Sequence, residues 1–257
     1  MSTLQVKNLT KTFGGLTANS DITMDVAPNS ITAVIGPNGA GKTTFFNMIT
    51  GVYQPTSGDI ILNDKSIAKL KPHEVSKRGI ARTFQNIRLF GDVTVLENVM
   101  VGMYNHLKVG LVGTLLGLPN VRRQEKEAKK EAYRLLEYVG LEAFYNELAS
   151  NLSYGAQRRL EIARALATKP SLLLLDEPAA GMNPRETREL TALINRIRHE
   201  LDVTIVLIEH DMKLVMEISD HIVVLDHGEK IAEGKADDIR NHPKVIEAYL
   251  GKGAATL

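Results

Sequence analysis

Residues Gly36-Pro-Asn-Gly-Ala-Gly-Lys-Thr43 carry the spacing G-x-x-x-x-G-K-[ST], and the chemistry this spacing serves is the holding of a phosphate chain. Glycines at 36, 39 and 41 permit turn geometries that a Cβ forbids, so successive backbone N–H groups can point into one concavity and meet an anion there. A helix starting near Lys42 adds the positive end of its dipole. Lys42 has the reach for β- and γ-phosphates, and the Thr43 hydroxyl is a Mg²⁺ ligand by type and position. Further candidates stand at or just past the ends of apolar runs: Asp176-Glu177 after Leu172–Leu175, His210 two residues past Val203–Ile208, and Gln85 within Thr83-Phe-Gln-Asn86, which closes a short β-like run.

The elements that must position these residues follow from periodicity. Ser30-Ile-Thr-Ala-Val-Ile35 reads as a buried strand and Thr43–Thr50 as the helix after the loop, which is the order the phosphate motif requires. Leu172–Leu175, Val203–Ile208 and His221–Leu225 are almost wholly apolar, as strands of a parallel sheet are when both faces are covered. A helix over Pro184–His199 supplies βαβ alternation. Residues 3–35 alternate as an antiparallel β region with a turn at Gly14-Gly15, and Asp59–Asn63 reads as one more strand. From about 92 to 168 the apolar spacing is helical, notably over Val93–Val101 and Ala128–Val139. Within it, the Gly- and Leu-rich segment 102–120 is expected to form a mobile hairpin or a docking surface, and the tail 251–257 is expected to fray.

Composition narrows the class. The chain has 257 residues, 44% hydrophobic and 24% charged, which suits one large or two small globular domains. Lys and Arg total 31 against 30 acidic residues, so no strong net field favours nucleic acid or an anionic membrane. There is no cysteine, which excludes disulfides and thiolate metal sites. The first residues lack the pattern of a signal peptide, so a cytosolic location is expected. The apolar stretch Val109–Leu118 is far short of the roughly 20 residues that span a bilayer, and a membrane link must come through another subunit.

Taken in order, Gly36–Thr43, Gln85, Leu152-Ser-Tyr-Gly-Ala-Gln157, Leu172–Glu177 and His210 resemble the nucleotide-binding subunit of ABC transporters over nearly the whole chain. On residue type alone Phe13 reads first as a core ring, Gln85 as a surface amide and His210 as a satisfied strand-end histidine. Their order in the chain reverses that. Phe13-Gly-Gly-Leu-Thr-Ala, Arg82–Phe90, Glu177–Pro184 and Glu209–Met216 are similar to the branched-chain amino-acid uptake ATPases of the LivG type.

The resemblance implies an α/β fold: a P-loop NTPase cassette with a mixed β core containing a parallel sheet, an N-terminal antiparallel β region and an inserted α-helical subdomain. It divides the chain into 1–85, holding the β region and the phosphate loop; 86–168, the helical subdomain with the signature motif; and 169–257, the rest of the core with the C-terminal helix. ATP or ADP with Mg²⁺ is the implied cofactor set. Phe13 is implied to stack on adenine; Gly36, Asn38, Gly39, Ala40 and Gly41 to form the cradle, with backbone donors from Asn38 to Gly41; Lys42 to supply the cation; and Thr44 to reach the α-phosphate. Thr43, Gln85 and Asp176 are the implied metal contacts, the last through water. Glu177 is implied to act as general base or to orient the attacking water, and His210 to contact the γ-phosphate. Ser153 and Gly155 are implied to cover the γ-phosphate bound by an opposite subunit.

Two positions depart from the common pattern. Tyr154 and Ala156 stand where Gly and Gln are usual, and Ala180-Gly-Met-Asn183 replaces Ser-Ala-Leu-Asp. The function implied is an ATP-hydrolysing motor for branched-chain amino-acid import, peripheral on the cytoplasmic face of the inner membrane. Its implied partners are two transmembrane permeases, a second ATPase or a second copy of itself, and indirectly a substrate-binding protein, but no nucleic acid. Urea, amide or lipopolysaccharide transport, a soluble ABC ATPase and a regulator without turnover are the alternatives.

Overall fold

A computed structural model describes residues 3–104 and 119–250. Most of the 102–120 segment and the 251–257 tail therefore lie outside the described residues. Alternation builds the first layer. Leu4–Phe13 (β1) and Leu16–Val26 (β2) pair antiparallel from Leu4 opposite Val26 to Phe13 opposite Leu16, around Gly14-Gly15. Ser57–Leu62 (β4) joins the other side of β1, and the short Lys65–Ser66 (β5) closes a four-stranded sheet of order β2-β1-β4-β5.

The second sheet has the order β10-β9-β3-β8-β7-β6, built from Ile31–Ile35 (β3), Ile80–Arg82 (β6), Leu172–Asp176 (β7), Thr204–Ile208 (β8), His221–Asp226 (β9) and Glu229–Gly234 (β10). All its pairings are parallel except β9 with β10. Uniformly apolar strands result because both faces are covered. Leu173, Leu175, Ile205, Leu207, Ile222 and Val224 face one core cluster, while Leu172, Leu174, Val206, Ile208, Val223 and Leu225 face the other.

The second of these clusters lies under the antiparallel sheet and Lys42–Ile49 (α1), with Phe45 and Phe46 fully buried. Pro72–Lys77 (α2) follows, with Val75 in the same core. The other cluster takes in Val95–Gly102 (α3), Pro119–Val139 (α4) and Tyr154–Leu166 (α5), then Pro184–Leu201 (α6), Met212–Ile218 (α7), Ala236–Arg240 (α8) and Pro243–Leu250 (α9). The helical stretch expected over 92–168 is thus three α-helices and two short 3-10 turns, Glu142–Phe144 and Ala149–Asn151, among the described residues. Thr83–Asn86, which closes the β6 run, is irregular: β6 pairs with β7 only as far as Arg82 opposite Leu174, while β7 continues beside β8 to Asp176. The antiparallel edge strand β10 went unread in the sequence: its Lys230, Glu233 and half-buried neighbours give no clean alternation.

Candidate nucleotide site

The parallel register brings three chain segments to one end of the sheet. Val34 pairs with Ile208 and Ile208 with Asp176, so the residues that follow β3, β7 and β8 emerge side by side. A crevice at the carboxyl ends of parallel strands is where such sheets bind ligands. Gly36 leaves β3 so close to β9 that an added Cβ would run into the Leu225 carbonyl oxygen. At Gly41 the backbone is left-handed, with φ +95, and a Cβ would stand 2.5 Å from the Ala18 carbonyl oxygen. The loop then enters α1, and Lys42 Nζ donates to the carbonyl oxygens of Gly36 at 2.7 Å and Pro37 at 2.9 Å. Burial lowers the Lys42 pKa from the ordinary lysine value, while Glu177 and Asp176 oppose that shift.

A cavity of about 540 Å³ opens over this loop, the size of a small-molecule site. Asn38 to Thr44 line it together with Gln85, Glu177 and His210. By contrast, a larger cleft of about 710 Å³ between α7 and the C-terminal helices holds none of the predicted site residues.

Glu177 is the centre of the arrangement. Its backbone is left-handed at φ +47, a conformation costing a non-glycine residue roughly 1–3 kcal/mol that tends to survive at functional sites. Its N–H donates to the Ile208 carbonyl at 2.9 Å. One carboxylate oxygen accepts from Gln85 Nε2 at 2.8 Å and the other meets His210 Nε2 at 2.7 Å. Two side chains far apart in sequence therefore converge on one carboxylate.

Asp176 is buried and its Oδ2 lies 2.7 Å from the Arg82 guanidinium. Arg82 also donates to Asn47 Oδ1 of α1 at 2.7 Å, tying the carboxylate strand to the helix of the phosphate loop. The Thr43 hydroxyl, the Gln85 amide oxygen and the Asp176 carboxylate are hard oxygen donors of few charges. Such a set suits Mg²⁺ held mainly by phosphate oxygens and water rather than by a protein cage. In keeping with that, no group of three or more His, Asp or Glu able to hold a metal occurs among the described residues.

Five predicted residues lie outside the cavity lining: Gly36 and Asp176, already described, and Phe13, Ser153 and Gly155. Phe13 stands edge-on to Tyr53 with ring centroids 5.1 Å apart, and Lys11 Nζ sits 4.9 Å from its ring. Leu16, across the hairpin and 69% exposed, is the large apolar side chain in the lining. Ser153 caps α5 by accepting from the Ala156 N–H at 3.4 Å, and Gly155 follows it against Glu186 of α6. Asn183, one of the unusual positions, is the N-cap of α6: its side chain accepts from the N–H groups of Arg185 and Glu186, and Glu186 bonds back to the Asn183 N–H.

The sequence model of the family described as ABC transporter matches residues 19–180, more than half of the chain. The chain belongs to the ABC transporter family. A second model, described as branched-chain amino acid ATP-binding cassette transporter, matches residues 229–255. The chain is 51% identical over 249 residues to the high-affinity branched-chain amino acid transport ATP-binding protein BraF of Pseudomonas aeruginosa, covering 97% of this chain and 98% of that protein. It is 50% identical over the same length to LivG of Escherichia coli K12, named for the same transport. Among solved structures, a nucleotide-free ATP-binding cassette from an ABC transporter is 32% identical with a TM-score of 0.85, covering 98% of this chain and 100% of that one. A dimeric cassette in a post-hydrolysis state with ADP and phosphate is 27% identical with a TM-score of 0.76, covering 91% of this chain and 98% of that one.

The chain is thus an ATP-binding cassette ATPase with the expected P-loop α/β fold. Residues around its site that the sequence reading missed are Arg82, Leu16 to Ala18 and His227. His227 sits in the turn between β9 and β10 at φ +46, and the Asp226-His-Gly-Glu turn was its only sequence signal. Glu209 was also missed: it is buried, its Oε1 accepting from the Ala179 N–H at 2.7 Å and its Oε2 from the His210 N–H at 2.9 Å.

Proposed function

We propose that this chain is the ATP-hydrolysing motor subunit of an importer for branched-chain amino acids. The convergence of Gln85 and His210 on Glu177 beside the phosphate loop carries the reading. Its transport assignment is supported by the names of BraF and LivG, matched along almost their whole length, and by the match at residues 229–255.

In this reading the backbone donors from Asn38 to Gly41 and the Lys42 ammonium hold the ATP phosphates, with Thr44 at the α-phosphate and Phe13 at the adenine. Thr43, Gln85 and Asp176 would hold Mg²⁺, which would supply charge neutralisation to the phosphate chain. Glu177 orients the attacking water and takes up its proton, and His210 senses the γ-phosphate. Hydrolysis of this bond is mostly positioning and electrostatics, which matches a site whose central carboxylate is held from both sides.

Ser153 and Gly155 lie away from the chain's own cavity, so they serve the nucleotide of a second cassette, a copy or a related ATPase. Two nucleotides are then sandwiched between cassettes, and their hydrolysis releases the pair. The three-segment division at 85 and 168 assigns phosphate binding, partner contact and switching to successive parts of the chain. No helix among the described residues is long and apolar enough to cross a membrane, which supports a peripheral subunit docked on two permeases served by a binding protein.

The test is Glu177→Gln. It is expected to keep ATP binding and to cut kcat by about 10²–10⁴-fold, measured by phosphate release beside equilibrium binding of ATP. An unchanged kcat would remove Glu177 from the mechanism.

A further inference from the structure

Helix α5 carries a fully buried ion pair that the hydrolysis mechanism does not use. Arg158 and Glu161 are 0% and 1% exposed at the side chain, with Arg158 Nη1 2.8 Å from Glu161 Oε2. Both residues also bond one loop. Arg158 Nη1 donates to the Phe84 carbonyl at 2.5 Å and Nη2 to the Gln85 carbonyl at 2.8 Å. Glu161 Oε1 accepts from the N–H groups of Phe84 and Arg88, each at 3.3 Å. Burial raises the Glu161 pKa, and Arg158 and the two N–H groups oppose it.

This pattern is more than a stabilising contact requires. A buried ion pair is costly to desolvate, and apolar residues of similar volume often replace one without loss of stability. Apolar residues cannot bind two carbonyls and two amides of a loop that has no regular structure of its own. The loop so held is the one that aims Gln85 at Glu177. One turn before Arg158, at the start of the same helix, stand Ser153 and Gly155, and Tyr154 between them accepts from Arg158 Nη2 at 3.3 Å. The Tyr154 ring also lies over Gly181, where an added Cβ would be 3.4 Å from it. The two departures from the common motif pattern, at 154 and 180–183, therefore touch each other and join the same chain of contacts.

We propose that Arg158 and Glu161 are positioning residues: they lock the Gln85 loop to the signature helix, so that the seating of that helix sets the placement of Gln85 on Glu177. The proposal rests on the site roles given above for Gln85 and Glu177.

The test uses the full-length chain with Arg158→Met and Glu161→Leu combined, Gln85→Ala, and all three together. Thermal unfolding, binding of a non-hydrolysable ATP analogue, and kcat with KM are measured for each. The paired change is expected to keep a cooperative unfolding transition, since losing the ion pair offsets part of the cost of the loop groups left unpaired, to leave analogue binding within about threefold, and to lower kcat by about tenfold to a hundredfold through misplacement. Adding Gln85→Ala should then lower kcat no further, since residues that act as a unit are not additive. Should the paired variant not fold, Arg158→Lys carries the same test, because one ammonium retains the charge but cannot fork to two carbonyls. An unchanged kcat in the variant that folds, or losses that multiply with Gln85→Ala, overturns the clamp while leaving the site reading in place. If Gln85→Ala itself has full activity, the site reading fails and the clamp falls with it.

Discussion

Gly41 and Glu177 both hold left-handed backbone at the site, at φ +95 and +47, but for opposite reasons. At Gly41 no side chain fits, and Gly41→Ala is expected to cost about 1–3 kcal/mol of backbone strain before its 2.5 Å clash with the Ala18 carbonyl. Denaturant unfolding should register that loss, and calorimetry should show ATP affinity reduced at least about tenfold, a further ~1.4 kcal/mol. At Glu177 the conformation is enforced by neighbours, because Gln85, His210 and the Ile208 carbonyl all hold it. Glu209 braces the same region. Burial raises its pKa from 4.5, against the N–H groups of Ala179, His210 and Asp211 and with help from the Glu177 charge. The folded chain then keeps a proton that the unfolded chain has released, so this group's contribution to stability falls as pH rises from 4.5 through its native pKa. Glu209→Gln is expected to flatten that fall, read as unfolding free energy against pH. A slope identical to wild type would show that Glu209 titrates normally. The glycine at 41 was legible from its motif, but the role of Glu209 was not: it reads as a companion of His210, and its Ala179 partner lies on a loop that only the sheet brings near it.

The elements show which parts of a sequence declare themselves. Strands β3, β7, β8 and β9 were legible as uniform apolar runs, since a strand covered on both faces leaves no polar position, and their parallel register placed Asp176, Glu177 and His210 correctly at one end. Gln85 was legible only through the order of motifs, because its loop is shaped by Arg158 and Glu161 from α5 rather than by its own residues. Phe13 was assigned by resemblance alone, and its contact with Tyr53 comes from a link that carries no periodic signal. The amide at 183 has a local explanation, the capping box that starts α6. Asn183→Ala should cost about 1 kcal/mol, or about 2–4 °C in melting temperature for a chain of this size. Asn183→Asp should be close to neutral, because a carboxylate caps equally well; a destabilisation equal to that of the alanine variant would argue that the amide serves another purpose.

At the scale of the molecule, one chain holds a phosphate loop, a held carboxylate and, on a separate face, the capped start of α5, which supplies nothing to the chain's own cavity. A motor that works by pairing needs this separation of parts. Among the described residues no helix is long and apolar enough to cross a membrane, and in the proposed function the work of closure would be passed to permeases. The most direct measurement is ATP-driven leucine uptake by membrane vesicles from cells lacking this chain, restored either with the wild type or with Glu177→Gln. The account predicts full uptake with the wild type and, given the expected loss of about 10²-fold or more in kcat, uptake near background with the variant although it binds ATP and joins the membranes. Equal uptake with both, or none with either while another solute is carried, would contradict it.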